Sequence, residues 1–290
     1  MRFQKKEPLK KHTSLRIGGP ADVLCTPKSA ADIIAALDYA RQNKLKIAII
    51  GAGSNLLVPE TGFKGLVIKL GKGLNWLKLE KNSVRVGAGV MLPDLVVKAA
   101  KAGFSGLEFL AGIPGSVGGA VVMNAGAWGE SLADHLIEVK ALDRSGREKT
   151  FKGEELKAEY RSSYFQGRNW IIIEALLKLK TGNKKVIKHR ILEHLTRRKS
   201  KQPLGTPNCG SVFRNPKNDF AGRLIEAAGC KGMRVGDAQV STKHANFIVN
   251  LGEAKAEDVM KLMKKVRAAV RQRFKIRLEP EIKFMVKSST

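Results

Sequence analysis

EFLAGIPGSVGGAVVMNAGAW, residues 108–128, holds Gly112, Gly115, Gly118, Gly119 and Gly126 among small Ala and Ser residues, with Glu108 its single charge. Glycine loses more backbone entropy on folding than any other residue, so so dense a cluster needs a physical reason. One reason is a backbone that turns sharply and presents bare N–H groups to a ligand, most often a phosphate. The other is a glycine-lined packing contact between two elements. Taken alone, the stretch leaves the two level.

A second loop tips the balance. Ile47–Ile50 is a short apolar run of the kind a fully buried strand shows, and it runs directly into Gly51-Ala52-Gly53-Ser54-Asn55. No third glycine opens a helix and Pro59 follows soon after, so this is not the Rossmann fingerprint, and the Walker A lysine pattern is absent. Two separate glycine loops suit a long ligand with a pyrophosphate in its middle, which is a dinucleotide signal.

Composition bounds the rest. The 290 residues allow a sizeable core, and a hydrophobic content of 43% argues against disorder. Three widely spaced cysteines, Cys25, Cys209 and Cys230, form neither a disulfide framework nor a metal cluster, so no metal and a reducing, cytoplasmic setting are expected. The first residues, MRFQKKEPLKKHTSL, lack the apolar core of a secretory signal, and no apolar run reaches membrane-spanning length. The net charge of +27 gathers at Lys184–Lys201 and Lys261–Arg277, interleaved with apolar residues as on a solvated helix face. No aromatic stacking pattern, helix-turn-helix or zinc spacing accompanies it, so no specific nucleic-acid partner is expected.

Along the chain, Ser29 and Asp32 cap a helix running to about Asn43, ahead of the strand Ile47–Ile50. Leu66–Leu70 and Ser83–Val86 read as strands, and Pro93 opens a helix through Lys101 that Gly103 closes. Leu136–Leu142 and Trp170–Leu179 read as strands, with a turn at Arg144–Arg147 between them. Lys184–Lys199 is helical and precedes Gln202-Pro-Leu-Gly-Thr-Pro207, the clearest break in the chain. Ala221–Ala228 and Glu253–Phe274 read as helices, His244–Asn250 and Ile282–Val286 as strands. Three polar islands remain: Tyr160–Tyr164, Asn208–Pro216 and Leu278–Ile282. Each taken singly is indistinguishable from an ordinary turn.

Together, in order, these stretches resemble one family. HTSLRIGG (12–19), GAGSNLL (51–57), GIPGSVGGA (112–120), YRSS (160–163), GSVFRNP (210–216), HANF (244–247) and LEPE (278–281) are similar to the motifs of the UDP-N-acetylenolpyruvoylglucosamine reductases, the MurB flavoenzymes of bacterial cell-wall synthesis. They span almost the whole chain. No extra loop fits between Arg161 and Trp170, so the likeness is to the shorter class.

The resemblance implies an α+β protein. It would have a two-subdomain FAD-binding fold of the vanillyl-alcohol-oxidase/PCMH type, plus a C-terminal α+β substrate domain. Its expected bounds are 1–70, 71–200 and 201–290, with the FAD region at about 16–181. It implies FAD held by Gly51, Ala52, Gly53, Ser54, Asn55, Gly112, Ile113, Pro114, Gly115, Ser116, Gly118, Gly119, Asn124 and Gly126. That FAD would be non-covalent, because the loop from Gly112 to Gly126 has no His to tether it. NADPH is the implied hydride source for reducing the enolpyruvyl group of a UDP-sugar. Ser211 is the implied proton donor, Arg161 and Glu281 its catalytic partners, and Tyr160 and Asn215 substrate contacts. Cys209 and Arg214 stand where Ala and Lys are frequent in the family. A monomer without membrane insertion is expected.

Overall fold

A computed structural model of the chain describes residues 1–285, apart from the side chain of Glu154. Its contacts divide the chain into two units that interleave in sequence. The first takes 1–4, 23–52 and 65–197; the second takes 5–22, 53–64 and 198 onward. The division expected from sequence into 1–70, 71–200 and 201–290 is consecutive. The contact units instead assign the early segments 5–22 and 53–64 to the body formed by the last hundred residues.

In the first unit, α1 (Ala30–Gln42) begins where the Ser29 hydroxyl accepts the Asp32 N–H at 3.1 Å. Its Ile33, Ala36, Leu37 and Ala40 form the buried stripe. Strand Ile47–Ile50 pairs in parallel with residues 66–69 of strand Phe63–Lys69. An antiparallel five-stranded sheet follows the order Glu148–Lys152, Leu136–Leu142, Ile171–Lys178, Ser83–Gly87, Leu77–Glu80. Val84, Val86, Val139, Ala141, Ala175 and Leu177 alternate onto its covered face. α2 (Leu92–Lys101) carries Pro93 in its first turn, and α3 (Val117–Met123) packs on the sheet.

The sheet's other face carries charge. Arg85 donates to Glu138 at 2.8 Å and to Glu174 at 2.6 Å, with all three side chains less than a third exposed. The hydrogen bond from Arg85 holds the Glu138 carboxyl below its ordinary value.

Two expectations need correction. Strand Glu148–Lys152 lies between the two strands thought to be joined directly by the Arg144–Arg147 turn. Its sequence, EKTFK, buries only Phe151, so it has almost no apolar signal. Within the glycine-rich stretch, α3 forms despite two glycines, because Ser116 caps its start and Asn124 ends it in the left-handed region at φ 42°. The helix Lys184–Lys199 extends as α4 to Lys201.

The second unit is a four-stranded antiparallel sheet in the order Asn208–Ser211, Phe247–Asn250, Ala238–Val240, Arg234–Val235. α5 (Ala221–Ala227) and α6 (Ala256–Phe274) accompany it. Val259, Leu262, Met263, Val266 and Val270 give α6 its buried stripe, at the spacing one face of a helix requires. Glu60, from the early segment, accepts the Ala256 N–H at the start of α6. Residues 244–246 turn instead of extending the strand to His244, because the His244 ring nitrogen accepts the Asn246 N–H. The closing strand is Lys283–Phe284, paired in parallel with Leu56–Leu57; Val286 lies outside the described residues.

Arg85→Met should lower stability at pH 7 by about 1–3 kcal/mol, since two carboxylates lose a charged donor. A carboxyl with a depressed folded-state pKa stabilises above its ordinary value of 4.5 and loses that contribution as pH falls through the depressed value. Thermal melts of wild type and variant should therefore converge in acid; a gap constant from pH 7 to pH 3 would contradict the network.

Candidate active site

The two glycine loops come together in the first unit. A Cβ built on Gly51 would lie 2.3 Å from Ser116 Oγ, so glycine there is required by close approach. Ser116 is 2% exposed and its hydroxyl accepts the Gly119 N–H at 3.4 Å. The backbone on both sides of it is tied down: Val117 N–H donates to Val90 C=O, Gly118 N–H to Ala88 C=O, and Leu92 N–H to Gly115 C=O, all at 2.9 Å.

Gly119 differs from the others. It is an exposed helical residue, and the one atom near its missing Cβ is Ser116 Oγ, at 3.6 Å. Nothing in the protein's own packing excludes a methyl group, yet glycine there costs the helix about 1 kcal/mol relative to alanine. The open space at Gly119, beside the Gly51–Ser116 contact, is a cradle that a Cβ would begin to fill. Such a bare surface fits a phosphate-bearing cofactor, and residues 112–120 include no charged side chain. Gly112, Ile113 and Gly115 are partly covered and Pro114 is exposed.

Asn124 and Gly126 act differently from the rest of the loop. Asn124 is 5% exposed and both ends of its amide are engaged with backbone: Nδ2 donates to Glu159 C=O at 2.9 Å, and Oδ1 accepts the Ala133 N–H at 3.0 Å. Gly126 faces its own hairpin, a Cβ there meeting Glu130 C=O at 2.4 Å. Its carbonyl accepts Arg161 Nη2–H at 2.8 Å, and the Ser163 hydroxyl donates to Val122 C=O at 2.8 Å. Three bonds thus hold residues 159–163 against the glycine stretch. Arg161 adopts φ 55°, a left-handed conformation that strains a long side chain, and its guanidinium lies 5.0 Å from the exposed Tyr160 ring.

The second unit gathers Asn55, Ser211 and Glu281. Glu281 N–H donates to Val212 C=O at 2.8 Å, placing residue 281 against the step after Ser211. Asn55 Nδ2 donates to Glu281 C=O at 3.2 Å, and Asn55 C=O accepts the Lys283 N–H at 3.0 Å. Gly53 C=O accepts the Ser14 N–H at 3.1 Å. Ala52 ends the first unit's portion of this loop, and Ser54 is partly covered. Asn215 Oδ1 accepts the Ala221 N–H at 3.0 Å at the start of α5, so it also shapes the turn it belongs to.

The electrostatics around Glu281 were not visible in the sequence. Burial pushes the Lys283 ammonium down, Arg214 adds to that push, and Glu281 opposes it, so Lys283 is within electrostatic reach of both Arg214 and this carboxylate. Burial raises the Cys209 thiol to about 12, with Glu281 adding to the rise, so Cys209 stays neutral beside Ser211. Among the described residues no group of three His, Cys, Asp or Glu could hold a metal ion, and no helix is long and apolar enough to cross a membrane.

Comparison with known proteins places this geometry. Residues 21–152 match a family model described as an FAD binding domain. Residues 202–285 match the C-terminal domain of UDP-N-acetylenolpyruvoylglucosamine reductase. A reductase of that name from Desulforamulus reducens is 45% identical over 98% of this chain and 93% of its own length. The chain belongs to the UDP-N-acetylenolpyruvoylglucosamine reductase family. Another family member, from Symbiobacterium thermophilum, is 46% identical over 97% of the chain and 92% of its own. The crystal structure of the family's Thermus caldophilus enzyme, titled MurB, superposes with a TM-score of 0.86 at 39% identity. It covers 98% of this chain and 99% of that one. The fold is therefore the expected FAD-binding α+β architecture with the family's C-terminal domain.

Substitutions at two neighbouring glycines should have opposite signs. Gly51→Ala must displace the buried Ser116 cap and should cost about 1–3 kcal/mol. Gly119→Ala should leave the apoprotein unchanged or more stable by up to about 1 kcal/mol. Denaturant titration of the apoproteins measures both; a destabilising Gly119→Ala would show that packing requires that glycine.

Proposed function

We propose that the chain reduces the enolpyruvyl group of UDP-N-acetylenolpyruvoylglucosamine with NADPH, giving UDP-N-acetylmuramate for peptidoglycan precursor synthesis. It is an FAD-dependent oxidoreductase of its family. When bound, FAD supplies the two-electron relay between NADPH and the double bond. The observation that most directly supports the residue assignments is the meeting of Ser211 and Glu281 through the Glu281–Val212 hydrogen bond.

The chain's own groups do the acid–base and electrostatic work. Hydride addition at the terminal carbon drives charge onto the substrate carboxylate, giving an enolate-like aci-carboxylate. Arg161, a planar fork of donors, holds that carboxylate and stabilises the growing charge. Ser211 Oγ then donates its proton to the adjacent carbon. A hydroxyl is a weak acid at neutral pH, so this step needs the strongly basic carbon that hydride addition creates. Glu281, bonded through its N–H to the residue after Ser211 and within electrostatic reach of Lys283, shares in stabilising the charged intermediate and tunes the donor. Tyr160 and Asn215 are assigned as substrate contacts.

The region of about 16–181 serves the flavin and 201–290 the UDP-sugar, with 1–70 and 71–200 the two flavin-side parts. Gly51–Asn55, Gly112–Gly119 and the backbone they share with Asn124 and Gly126 hold the cofactor without a covalent link. The protein works as a cytoplasmic monomer with no specific nucleic-acid partner. Its net charge of +27 draws in two polyanions, NADPH and the UDP-sugar.

Gly119→Ala should weaken FAD binding at least about tenfold, through a methyl group in the space the phosphates approach. Flavin fluorescence titration of the apoprotein reads this, and unchanged affinity would remove Gly119 from the site. Ser211→Ala should leave flavin reduction by NADPH within about twofold and slow reoxidation by the enolpyruvyl sugar about 100- to 10,000-fold. Stopped-flow absorbance separates the two halves, and equal slowing of both would rule out the proton-donor role. Arg161→Lys, which keeps charge and loses the fork, should also turn over poorly.

A further inference from the structure

The strand carrying Ser211 breaks its ladder just before that residue. Asn208 pairs with Val249 and Ser211 with Phe247, so three steps on one strand oppose two on the other, a β-bulge. Gly210 sits in the bulge at φ 76°, and nothing lies within 4 Å of its missing Cβ, so glycine is there for its conformation. Gly210 N–H donates to Asn208 Oδ1 at 3.0 Å, which fixes the turn.

Beyond the bulge a side chain takes over the ladder's work. Asn246, 4% exposed, accepts the Phe213 N–H at Oδ1 (3.0 Å) and donates Nδ2–H to the Phe213 carbonyl (2.8 Å). Its own carbonyl accepts the Val212 N–H at 2.8 Å. From the other side, Val212 C=O accepts the Glu281 N–H and Arg214 N–H donates to Glu279 C=O at 2.9 Å. The two residues after Ser211 are thereby gripped from both edges. Asn250 is an internal comparison. Equally buried at 3%, it donates to Leu15 C=O and accepts from the Gly252 and Ala254 N–H groups, none of them next to Ser211 or Glu281.

We propose that Asn246 is a positioning residue for the proton donor: its two-point hold on Phe213 fixes the direction in which Ser211 Oγ leaves the Gly210 bulge. The inference rests on the reading of Ser211 given above. A bulge alone leaves the strand free to pivot, whereas hydrogen bonds to both the N–H and the C=O of one residue hold the two peptide units that flank it. Misplacing a reacting group by about 1 Å costs on the order of 100-fold in rate, so the loss should fall on the proton-transfer half of the cycle.

The test compares Asn246→Ala, Asn250→Ala, Ser211→Ala and the Ser211→Ala/Asn246→Ala double variant as holoenzymes, by stopped-flow half-reactions and thermal melts. Asn246→Ala should slow reoxidation by the enolpyruvyl sugar about 10- to 100-fold and leave reduction by NADPH within about twofold. Asn250→Ala, with a comparable loss of Tm, should leave both within about twofold. The double variant should be no slower in reoxidation than Ser211→Ala alone, because Asn246 acts through that hydroxyl. If Asn246→Ala does not fold, Asn246→Asp keeps the size and the acceptor for the Phe213 N–H, loses the donor, and should show the same split. Equal slowing by the Asn246 and Asn250 variants, or full additivity in the double variant, overturns the inference. Slow reoxidation in Ser211→Ala with normal reoxidation in the Asn246 variants overturns this inference alone. Normal reoxidation in Ser211→Ala overturns the functional reading and this inference with it.

Discussion

The peptide unit between Val212 and Phe213 is held by hydrogen bonds on both edges, and the chemistry assigned to the second unit depends on that constraint. Asn246 grips one edge and the segment Glu279–Ile282 grips the other. Ser211 lies one residue before this peptide unit, and Glu281 lies in the segment that grips its other edge. A weak acid such as a hydroxyl gains little from its pKa, so its usefulness depends on placement. The fold supplies placement with hydrogen bonds already formed before the reaction, which need no reorganisation at that moment.

The first unit applies a similar economy to binding. Gly51 and Ser116 approach so closely that a methyl group at Gly51 would strike the Ser116 hydroxyl, while Gly119 faces open space. One glycine is thus required by the protein's own packing and the other is not. The same stretch then carries Asn124 and Gly126, whose bonds anchor Arg161 and its neighbours. The glycine stretch and Arg161 are therefore joined by hydrogen bonds, with the left-handed Arg161 tied to the Gly126 carbonyl.

Much of this was legible in the sequence where a local pattern has a local cause. Ser29 capping α1, the apolar run Ile47–Ile50 and the stripe of α6 each declare themselves within a few residues. The helix α3 did not, because its glycines lower helix propensity and its start is held by bonds to Ala88 and Val90, far off in sequence, as well as by the Ser116 cap. Strand Glu148–Lys152 was hidden by its polar composition, since only Phe151 faces the core. The membership of 5–22 and 53–64 in the second unit is a matter of long-range contact, which no window of sequence contains. At the site, the motifs named Ser211, Arg161 and Glu281 through their residue types and order. Asn246 stood in the quoted HANF motif without a role, because its contribution lies in bonds to another segment's backbone. The cation Lys283, within electrostatic reach of Glu281, was likewise unremarkable in sequence.

The most direct measurement of a fixed, protein-borne proton donor is the configuration of the product formed in heavy water. Turnover with NADPH and the enolpyruvyl sugar in D2O, followed by NMR of the product, reads the carbon bearing the ether oxygen. An exchangeable hydroxyl held in one direction predicts deuterium at that carbon in a single configuration. A mixture of configurations, as delivery from free water would give, would contradict the account.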